Sequence, residues 1–172
     1  MDPFYPYLAG FFDGDGSLHF QIVRSKVHRR GFYLRVSLVF YQATTGEPGL
    51  LDLQRRIGGR LRQRSGDMSD LTITTRSVIR ELLEGMRPFA IFKAAQIQRG
   101  LELLDRLPPP KDPIGFLEVC EEIDGFASLN FSKSRSVTAM AVRSEFEKMG
   151  LLVPVTTDSK DEARQMVLSD QI

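Results

Sequence analysis

Hydrophobic and polar residues alternate with a period of two in two stretches near the start of the chain. In "SLHFQIV" (17–23) every second residue is a large apolar one, and "FYLRVSLVF" (32–40) repeats the pattern. Because successive side chains of a strand point to opposite faces, each stretch predicts a strand with one buried and one polar face. The basic segment "RSKVHRRG" (24–31) between them predicts that the two strands form a long hairpin.

Helical patterns surround a second predicted hairpin. Residues 5–12 indicate a short apolar helix, and a second helix opens at Pro48 and closes at Gly58. The segments "RLRQR" (60–64) and "LTITT" (71–75) then predict two strands joined by the turn "SGDMSD". The chain thus begins as helix, hairpin, helix, hairpin.

The remainder of the chain is predicted to be helical. Ser77 is expected to cap a helix over 78–86, and a longer helix is expected from about 89 to 107. After the rigid break "PPPKDP" (108–113), the segments "IGFLEVCEEIDGFASLN" and "VTAMAVRSEFEKMG" predict two more helices.

These elements predict an α/β (α+β) fold in which helices cover the apolar face of a four-stranded antiparallel sheet. The length of 172 residues and the hydrophobic content of 42% suffice for one compact core. We expect one domain over residues 1–150, helical from about residue 112, and a C-terminal tail over residues 151–172 that packs against it.

The composition excludes several classes of protein. No apolar run approaches the roughly 20 residues of a membrane span, and the start "MDPF" lacks the basic and apolar regions of a signal peptide. Cys120 is the single cysteine, so no disulfide forms within the chain, and with two distant histidines it gives no zinc-like cluster. We therefore expect an intracellular protein with no membrane partner.

Charge is distributed unevenly along the chain, although the net charge is only +1. Residues 1–101 hold 15 Lys and Arg against 9 Asp and Glu, whereas residues 102–172 hold 8 against 13. A basic N-terminal part suggests a face for a polyanion, and ordinary surface charge is the alternative interpretation.

The polar faces of the predicted strands favour nucleic-acid binding over a merely solvated sheet surface. They lack Lys and Glu, the usual solvating residues, while Arg recurs at every second position over 60–64. Arg pairs with guanine, Gln pairs with adenine, and an antiparallel ribbon fits the major groove. With the basic hairpin loop included, the candidate DNA-contacting residues are His19, Gln21, Val23, Arg24, Lys26, Arg29, Arg30, Tyr33, Arg35, Ser37, Arg60, Arg62, Arg64, Asp70, Thr72 and Thr74.

Two carboxylates, Asp13 and Asp15, stand where the first predicted helix ends at Gly14 and Gly16. The C-terminal end of a helix carries partial negative charge, so anions are unfavourable there. Either these side chains are solvated turn residues, or a cation completes the arrangement.

The segment "LAGFFDGDGS" (8–17) resembles the signature of the LAGLIDADG homing endonucleases. In this chain, as in that family, a strand with alternating apolar and polar residues comes directly after the signature. Further matches come in order: "FYQ" at 40–42, "RPFAIFKAAQ" at 87–96 and "LEVCEEIDGFASLNFSKSR" at 117–135. The motif occurs once, so the chain is similar to the branch that works as homodimers and resembles the intron-encoded chloroplast enzymes. The resemblance implies an αββαββα core with a curved sheet that forms a saddle on DNA.

The resemblance also implies a metal-dependent double-strand cut in a long pseudo-palindromic DNA site. The catalytic aspartate of the family matches Asp15, and the carbonyl of Gly14 is the associated backbone ligand. These oxygen donors suit Mg²⁺, for which Mn²⁺ is expected to substitute. Gln42 matches the glutamine that orders active-site water, and Lys93 matches the lysine that acts on the phosphate or its water network. Asp13 is expected to shape the helix end or support the site.

In this family the motif helices of two subunits pack together at the two-fold axis. Ala9, Gly10 and Gly14 are small enough for two backbones to approach closely. The residues that the resemblance places at the dimer interface are Tyr7, Leu8, Gly10, Phe11 and Gly14.

One position departs from the family pattern, and one segment adds backbone contacts. The family often has a basic residue four places after the glutamine, where this chain has Gly46, and Arg24, Arg35 or Arg64 are candidates to replace it. Ser132, Lys133 and Arg135 match a segment used against the DNA backbone, which needs charge but not base reading.

Two alternative functions follow from the same resemblance. Some LAGLIDADG proteins are RNA maturases that assist intron splicing, and a degenerate member would bind DNA without cutting it. The presence of Asp15, Gln42 and Lys93 argues against the degenerate alternative. An organelle, chloroplast or mitochondrion, and a prokaryotic cytoplasm fit the sequence equally well.

Overall fold

A computed structural model describes residues 3–130 and 137–152, and within these residues it confirms the predicted mixed fold. The helices are α1 (Phe4–Asp15), α2 (Glu47–Ile57), α3 (Arg76–Met86), α4 (Ala94–Asp105), α5 (Pro113–Phe126) and α6 (Ala139–Lys148). The strands are β1 (Gly16–Arg24), β2 (Phe32–Ala43), β3 (Arg60–Arg64) and β4 (Met68–Ile73).

The four strands form one curved antiparallel sheet in the order β1-β2-β4-β3. β1 pairs with β2 along its whole length, from Gly16 opposite Phe40 to Arg24 opposite Phe32. β4 joins the hairpins by pairing with β2. The sequence predicted both hairpins but not this adjacency of their second strands.

The predicted turn over 65–70 is wrong in its second half. The backbone reverses at Gly66 and Asp67, both with positive φ, and β4 already begins at Met68. Asp70 therefore lies in the strand, directly opposite Arg62. This register places Asp70 on the same face as the arginines of β3.

The first helix is longer than its apolar pattern predicts. α1 continues to Asp15, so Gly14 lies inside the helix and does not end it, whereas Gly16 begins β1. A Cβ atom at Gly16 would lie 2.6 Å from the Cα atom of Phe12, far inside van der Waals contact. The abrupt change from helix to strand therefore requires glycine at this position.

Two predicted helix starts are also wrong. α3 begins at Arg76, and Ser77 lies inside its first turn without a capping hydrogen bond. α4 begins at Ala94, because the backbone N–H groups of residues 91–93 are bound by the carboxylate of Asp13 before the helix starts. A long-range contact thus overrides the helical pattern of this segment.

The apolar faces of the strands pack against helices in one core. Phe20 of β1 packs edge-on against Phe126 of α5, with ring centroids 5.0 Å apart. Phe116 of the same helix packs against Phe146 of α6. Gly100 of α4 lets that helix approach Leu18 of β1 closely. None of the helices described is long and apolar enough to cross a membrane.

The two faces of β1 predict different sensitivities to truncation. Ile22 is buried in the core and Val23 points to the polar face. We expect Ile22→Ala to lower the free energy of unfolding by about 2–5 kcal/mol and Val23→Ala to lower it far less, as measured by urea denaturation. Equal losses in the two variants would contradict the assignment of the faces.

Candidate metal centre and nucleic-acid interface

The carboxylate of Asp13 fixes the loop before α4 to the end of α1. Its Oδ2 atom accepts hydrogen bonds from the backbone N–H groups of Ile91 (2.6 Å) and Phe92 (3.2 Å), and its Oδ1 atom accepts one from that of Lys93 (2.9 Å). Residues 91–93 are far from Asp13 in sequence, so the contact holds two distant segments together. Asp13 therefore links the end of α1 to the loop before α4, and its supporting role in a metal site stays a prediction.

Lys93 makes the reciprocal contact. Its ammonium group donates to the backbone carbonyls of Phe12 (2.8 Å), Gly14 (3.4 Å) and Gly16 (2.7 Å). These carbonyls belong to the end of α1, where a cation offsets the partial negative charge of the helix. Burial lowers the pKa of Lys93, against the opposing effect of the nearby Asp13 and Asp15 charges.

Asp15 and the carbonyl of Gly14 lie exposed beside this ammonium group. No hydrogen bond to the Asp15 carboxylate is found among the described residues, and those residues contain no cluster of three metal-ligating side chains. One exposed carboxylate with one carbonyl suits a hard cation that takes most of its ligands from water and phosphate, as Mg²⁺ does. The donor set fits the predicted metal.

Gln42 lies at the end of β2, as predicted, and among the described residues no hydrogen bond joins its side chain to Asp13, Asp15 or Lys93. Its side chain lines a groove between α1 and α2 beside Phe11, and its Oε1 atom accepts a hydrogen bond from the N–H group of Ala43. A Cβ atom at Gly46 would lie 2.6 Å from the Cγ atom of Gln42. A basic side chain at Gly46 would therefore displace Gln42.

The polar face of the sheet forms a second groove, of about 740 Å³. Arginines, amides and hydroxyls converge on it from all four strands. Of the predicted DNA-contacting residues, it is lined by His19, Gln21, Arg35, Ser37, Arg60, Arg62, Arg64, Thr72 and Thr74. The sequence pattern thus identified the polar lining of this groove.

Asp70 lies beneath this lining and does not face the groove. Its side chain is 0% exposed and accepts hydrogen bonds from Arg62, Arg64 and Thr72. Burial acts to raise the pKa of Asp70, but the three donors outweigh it and hold the pKa below its ordinary value. In this structure Asp70 orients two arginines, and its predicted direct contact with DNA is blocked by them.

Other residues predicted to contact DNA bind partners within the same chain. Gln21 accepts two hydrogen bonds from its cross-strand neighbour Arg35, at 3.0 and 2.6 Å. The guanidinium of Arg24 lies over the ring of Phe32. All three candidates to replace the basic residue missing at Gly46, namely Arg24, Arg35 and Arg64, thus have partners elsewhere.

The hairpin loop carries the remaining basic candidates. Lys26 and Arg29 are exposed, and the ring of Tyr33 stacks with that of His28. Arg30 instead donates to the carbonyl of Pro110 and lies over the ring of Phe116, so it also ties the loop to the helical layer. Ser132, Lys133 and Arg135 lie outside the described residues.

One face of α1 is open to solvent. Tyr7 is 69% exposed, and Gly10, Phe11 and Gly14 follow on the same face at spacings of three, one and three residues. No heavy atom lies within 4 Å of a Cβ atom placed at Gly10 or Gly14. We call Tyr7, Gly10, Phe11 and Gly14 the α1 stripe.

Two predicted interface residues do not belong to the α1 stripe. Leu8 and Ala9 are fully buried in the core of their own chain, because α1 turns them toward the sheet. The prediction of Leu8 at a dimer interface, and of Ala9 as a residue for close helix approach, is therefore corrected. The glycines of the stripe remain available for that approach.

Tyr41 is a groove residue that the sequence prediction missed. It lines the polar groove, and the guanidinium of Arg64 lies 5.4 Å from the centre of its ring. The predicted strand ended at Phe40, whereas β2 continues to Ala43. The alternation of Arg35, Ser37 and Val39 extends to Tyr41 and was the available signal.

An exposed carboxylate and carbonyl at a helix end, beside an antiparallel sheet lined by arginines, suit a divalent cation next to a polyanion. Comparison with known proteins identifies the class: the LAGLIDADG endonuclease profile matches residues 8–89. DNA endonuclease I-CvuI of Chlorella vulgaris is 33% identical over 150 residues, covering 87% of this chain and 93% of that protein. The chain belongs to the LAGLIDADG endonuclease family.

A second relative and two solved structures are also similar to this chain. DNA endonuclease I-CreI of Chlamydomonas reinhardtii is 34% identical over 148 residues, covering 85% of this chain and 90% of that protein. The crystal structure of I-CvuI with its target in the presence of 2 mM Ca matches with a TM-score of 0.80 over 87% of this chain and 96% of that one. The archaeal intron-encoded homing endonuclease I-Vdi141I, at 18% identity and a TM-score of 0.75, has the same fold.

The Asp70 cluster predicts a pH-dependent contribution to stability. Because its folded pKa is depressed, Asp70 stabilises the fold above its unfolded pKa, and this contribution is lost as the pH falls through the folded pKa. We expect Asp70→Asn to lower the free energy of unfolding by about 1–3 kcal/mol at pH 7, with the difference from wild type shrinking below about pH 4. Urea denaturation of both proteins at pH 7 and below about pH 4 measures the difference in the free energy of unfolding.

Asp52→Asn is the matched control, because Asp52 forms only an exposed ion pair with Arg55. Such a pair contributes little to stability. An Asp70→Asn protein that differs equally from wild type at both pH values would contradict the role given to the cluster.

Proposed function

We propose that this protein is a homing endonuclease that makes a metal-dependent double-strand cut in a long pseudo-palindromic DNA site as a homodimer. The observation that carries the proposal is the position of Asp15, an exposed carboxylate next to the α1 stripe. Two chains that meet through this stripe bring two such carboxylates together, one for each strand. A two-fold protein presents the same surface to both half-sites, which accounts for a pseudo-palindromic target.

Asp15 and the Gly14 carbonyl would hold Mg²⁺, for which Mn²⁺ would substitute. A metal held there would supply an activated water and charge stabilisation for the leaving oxygen of the phosphodiester. Lys93 holds the Gly14 carbonyl in place and presents positive charge beside the scissile phosphate. I-CvuI structures were obtained with DNA in the presence of Ca or Mg, which supports a divalent metal here. We assign Gln42, which lines the groove between α1 and α2, to ordering water of the active site.

The polar groove of the sheet contacts the bases. Arg60, His19 and Ser37 face it from three strands, and Arg62 and Arg64 are preset by Asp70. Preset side chains lose less freedom on binding, which favours recognition by a fixed surface. Lys26, Arg29 and the 132–135 segment are assigned to phosphate contacts, which position the protein without reading sequence.

The relatives give the maturase alternative no support, because I-CvuI and I-CreI are both named DNA endonucleases. The free Asp15 carboxylate also argues against a binding-only protein, since such a protein has no use for a metal ligand at this position. Location in an organelle or a prokaryotic cytoplasm remains a prediction.

Removal of the Asp15 charge tests the proposal. A target is first selected by cleavage from a randomised duplex library with Mg²⁺, and the selected duplex is then used for cleavage and gel-shift assays. We expect Asp15→Asn to lose at least about 1,000-fold in cleavage rate, roughly 4 kcal/mol of transition-state stabilisation, while binding stays within a few-fold. Chelator is expected to abolish cleavage by the wild type.

Asp105→Asn serves as the control, because Asp105 pairs with Arg80 at the C-terminal end of α4, whereas Lys93 precedes the N-terminal end of that helix. It is expected to cleave normally. Cleavage by Asp15→Asn at the wild-type rate would overturn the assignment of Asp15. Absence of any selected duplex, together with tight binding to an intron RNA, would overturn the endonuclease proposal.

A further inference from the structure

A groove of about 500 Å³ lies between the first half of β2 and the segment that begins α3. β4 pairs with β2 only from Leu38 onward, because the last residue of β4, Ile73, lies opposite Leu38. Before Leu38, β2 therefore has a strand neighbour on only one side within the described residues, and that neighbour is β1. We call this groove the edge groove. Its lining includes Phe32, Leu34, Val36, Arg76, Pro109 and Phe116.

The backbone groups of Leu34 and Val36 point toward the edge groove. Successive residues of a strand direct their backbone groups to alternate sides, and the carbonyl of Gly31 accepts a hydrogen bond from Ser25 on the β1 side. The odd-numbered residues that follow in β2 thus bond to β1, and the even-numbered ones face away from it. Among the described residues no backbone hydrogen bond reaches Leu34 or Val36 from that side. An open strand edge of this kind is a template for an added strand.

The described part of the chain ends beside the edge groove. The N–H group of Leu151 donates to the carbonyl of Phe146 (2.9 Å), and the ring of Phe146 packs against that of Phe32, with centroids 6.3 Å apart. Phe32 is the first residue of β2 and lines the groove. Residues 153–172, which follow Leu152, therefore continue from the Phe32 end of the edge groove.

The sequence that follows Leu152 matches the groove in both shape and charge. The stretch "VPVTT" (153–157) is rich in β-branched residues, which favour strands, and "DSKDE" (158–162) carries three acidic residues against one lysine. Arg76 is exposed at the first position of α3 and lines the groove beyond Val36. The N-terminal end of α3 adds partial positive charge there. The basic end of the groove thus lies opposite the end at which the chain enters.

We infer that residues 153–157 add as a strand to the open edge of β2 and that residues 158–162 of the same chain bind beside Arg76. The added strand runs parallel to β2, from Phe32 toward Val36, and supplies main-chain partners for the even-numbered residues of β2. Pro154 has no N–H group, so it occupies a position that faces away from β2, as prolines of edge strands do. The backbone groups of Val155 then face β2.

The bound segment also affects the polar groove of the sheet. Arg35 and Thr74 line both grooves, so an acidic stretch beside them competes with a DNA duplex for this end of the sheet. This consequence rests on the proposed function, whereas the docking of residues 153–162 does not. The segment is therefore expected to weaken binding to DNA of random sequence.

Two neighbouring proline substitutions test the added strand. Val155→Pro removes an N–H group that faces β2, and Thr156→Pro, the matched control, removes one that faces water. Amide hydrogen exchange is read residue by residue by NMR on the full chain without DNA. We expect the amides of Leu34 and Val36 to exchange about 10-fold faster in Val155→Pro than in the wild type, and at the wild-type rate in Thr156→Pro. The amide of Arg35, which bonds to β1, is the internal reference.

A charge exchange tests the acidic stretch. A triple variant carries Asp158→Lys, Asp161→Lys and Glu162→Lys, and a second variant carries Arg76→Glu, which is compatible with the first turn of a helix. Each is expected to speed exchange at Val36, and their combination is expected to restore the wild-type rate, because opposite charges then face each other again. Thermal melting by circular dichroism verifies that each variant folds.

The same proline pair tests the effect on DNA, since the two variants have equal charge. Val155→Pro is expected to bind a random duplex about 3- to 10-fold more tightly than Thr156→Pro at low salt. Equal binding would overturn the competition with DNA.

Exchange at Leu34 and Val36 that is equally slow in Val155→Pro and the wild type would overturn the inference, by showing that something other than residues 153–157 covers the edge. A charge exchange that restores nothing would overturn the pairing with Arg76. Because both measurements are made without DNA, either failure would leave the endonuclease proposal standing.

Discussion

The reciprocal contact between Asp13 and Lys93 is the interaction on which the candidate site depends. The carboxylate at the end of α1 binds three N–H groups of the loop before α4, and the ammonium of that loop binds three carbonyls at the end of α1. The ammonium binds carbonyls at the C-terminal end of α1, and the carboxylate binds N–H groups of the loop that leads into α4. The exchange fixes Asp15 and the Gly14 carbonyl in space while leaving both exposed. It also resolves the electrostatic conflict of a carboxylate pair at a helix C-terminus, because Lys93 supplies a cation there.

The sheet also contains a buried acidic residue that holds other side chains in place, while those side chains face the groove. Asp70 is buried and holds Arg62 and Arg64, whereas the arginines themselves face the groove. In both places an acidic residue that is near the functional surface acts through its neighbours. At the end of α1, Asp13 is bound by three N–H groups, whereas the Asp15 carboxylate has no hydrogen-bond partner among the described residues. This contrast distinguishes the candidate metal ligand, Asp15, from the supporting residue, Asp13.

Much of the fold and the candidate residues of the site were predictable because one periodicity and one family signature were clear. The period-two pattern of β1 and β2 fixed the buried and polar faces, and the family signature identified Asp15, Gln42 and Lys93 as candidates. The start of α4 and the burial of Leu8 were not predictable, since each depends on packing against a segment distant in sequence. The burial of Asp70 depends instead on the register of its own hairpin, which places it opposite Arg62. The partner of Asp13 lies some eighty residues away, and no local pattern encodes it. The predicted end of β2 at Phe40 was wrong for a different reason. The alternation of its side chains continues to Tyr41, so the longer strand could have been predicted from the sequence.

In the proposed homodimer each chain contributes one Asp15, and the two chains act on one duplex. A mixed dimer tests it most directly, prepared with two affinity tags so that one subunit carries Asp15→Asn and the other is wild type. Its action on a supercoiled plasmid containing the selected target is followed on agarose gels. We expect nicked circles from a cut in a single strand, with little linear product. Linear product at the wild-type rate would contradict it, because one Asp15 would then suffice for both strands.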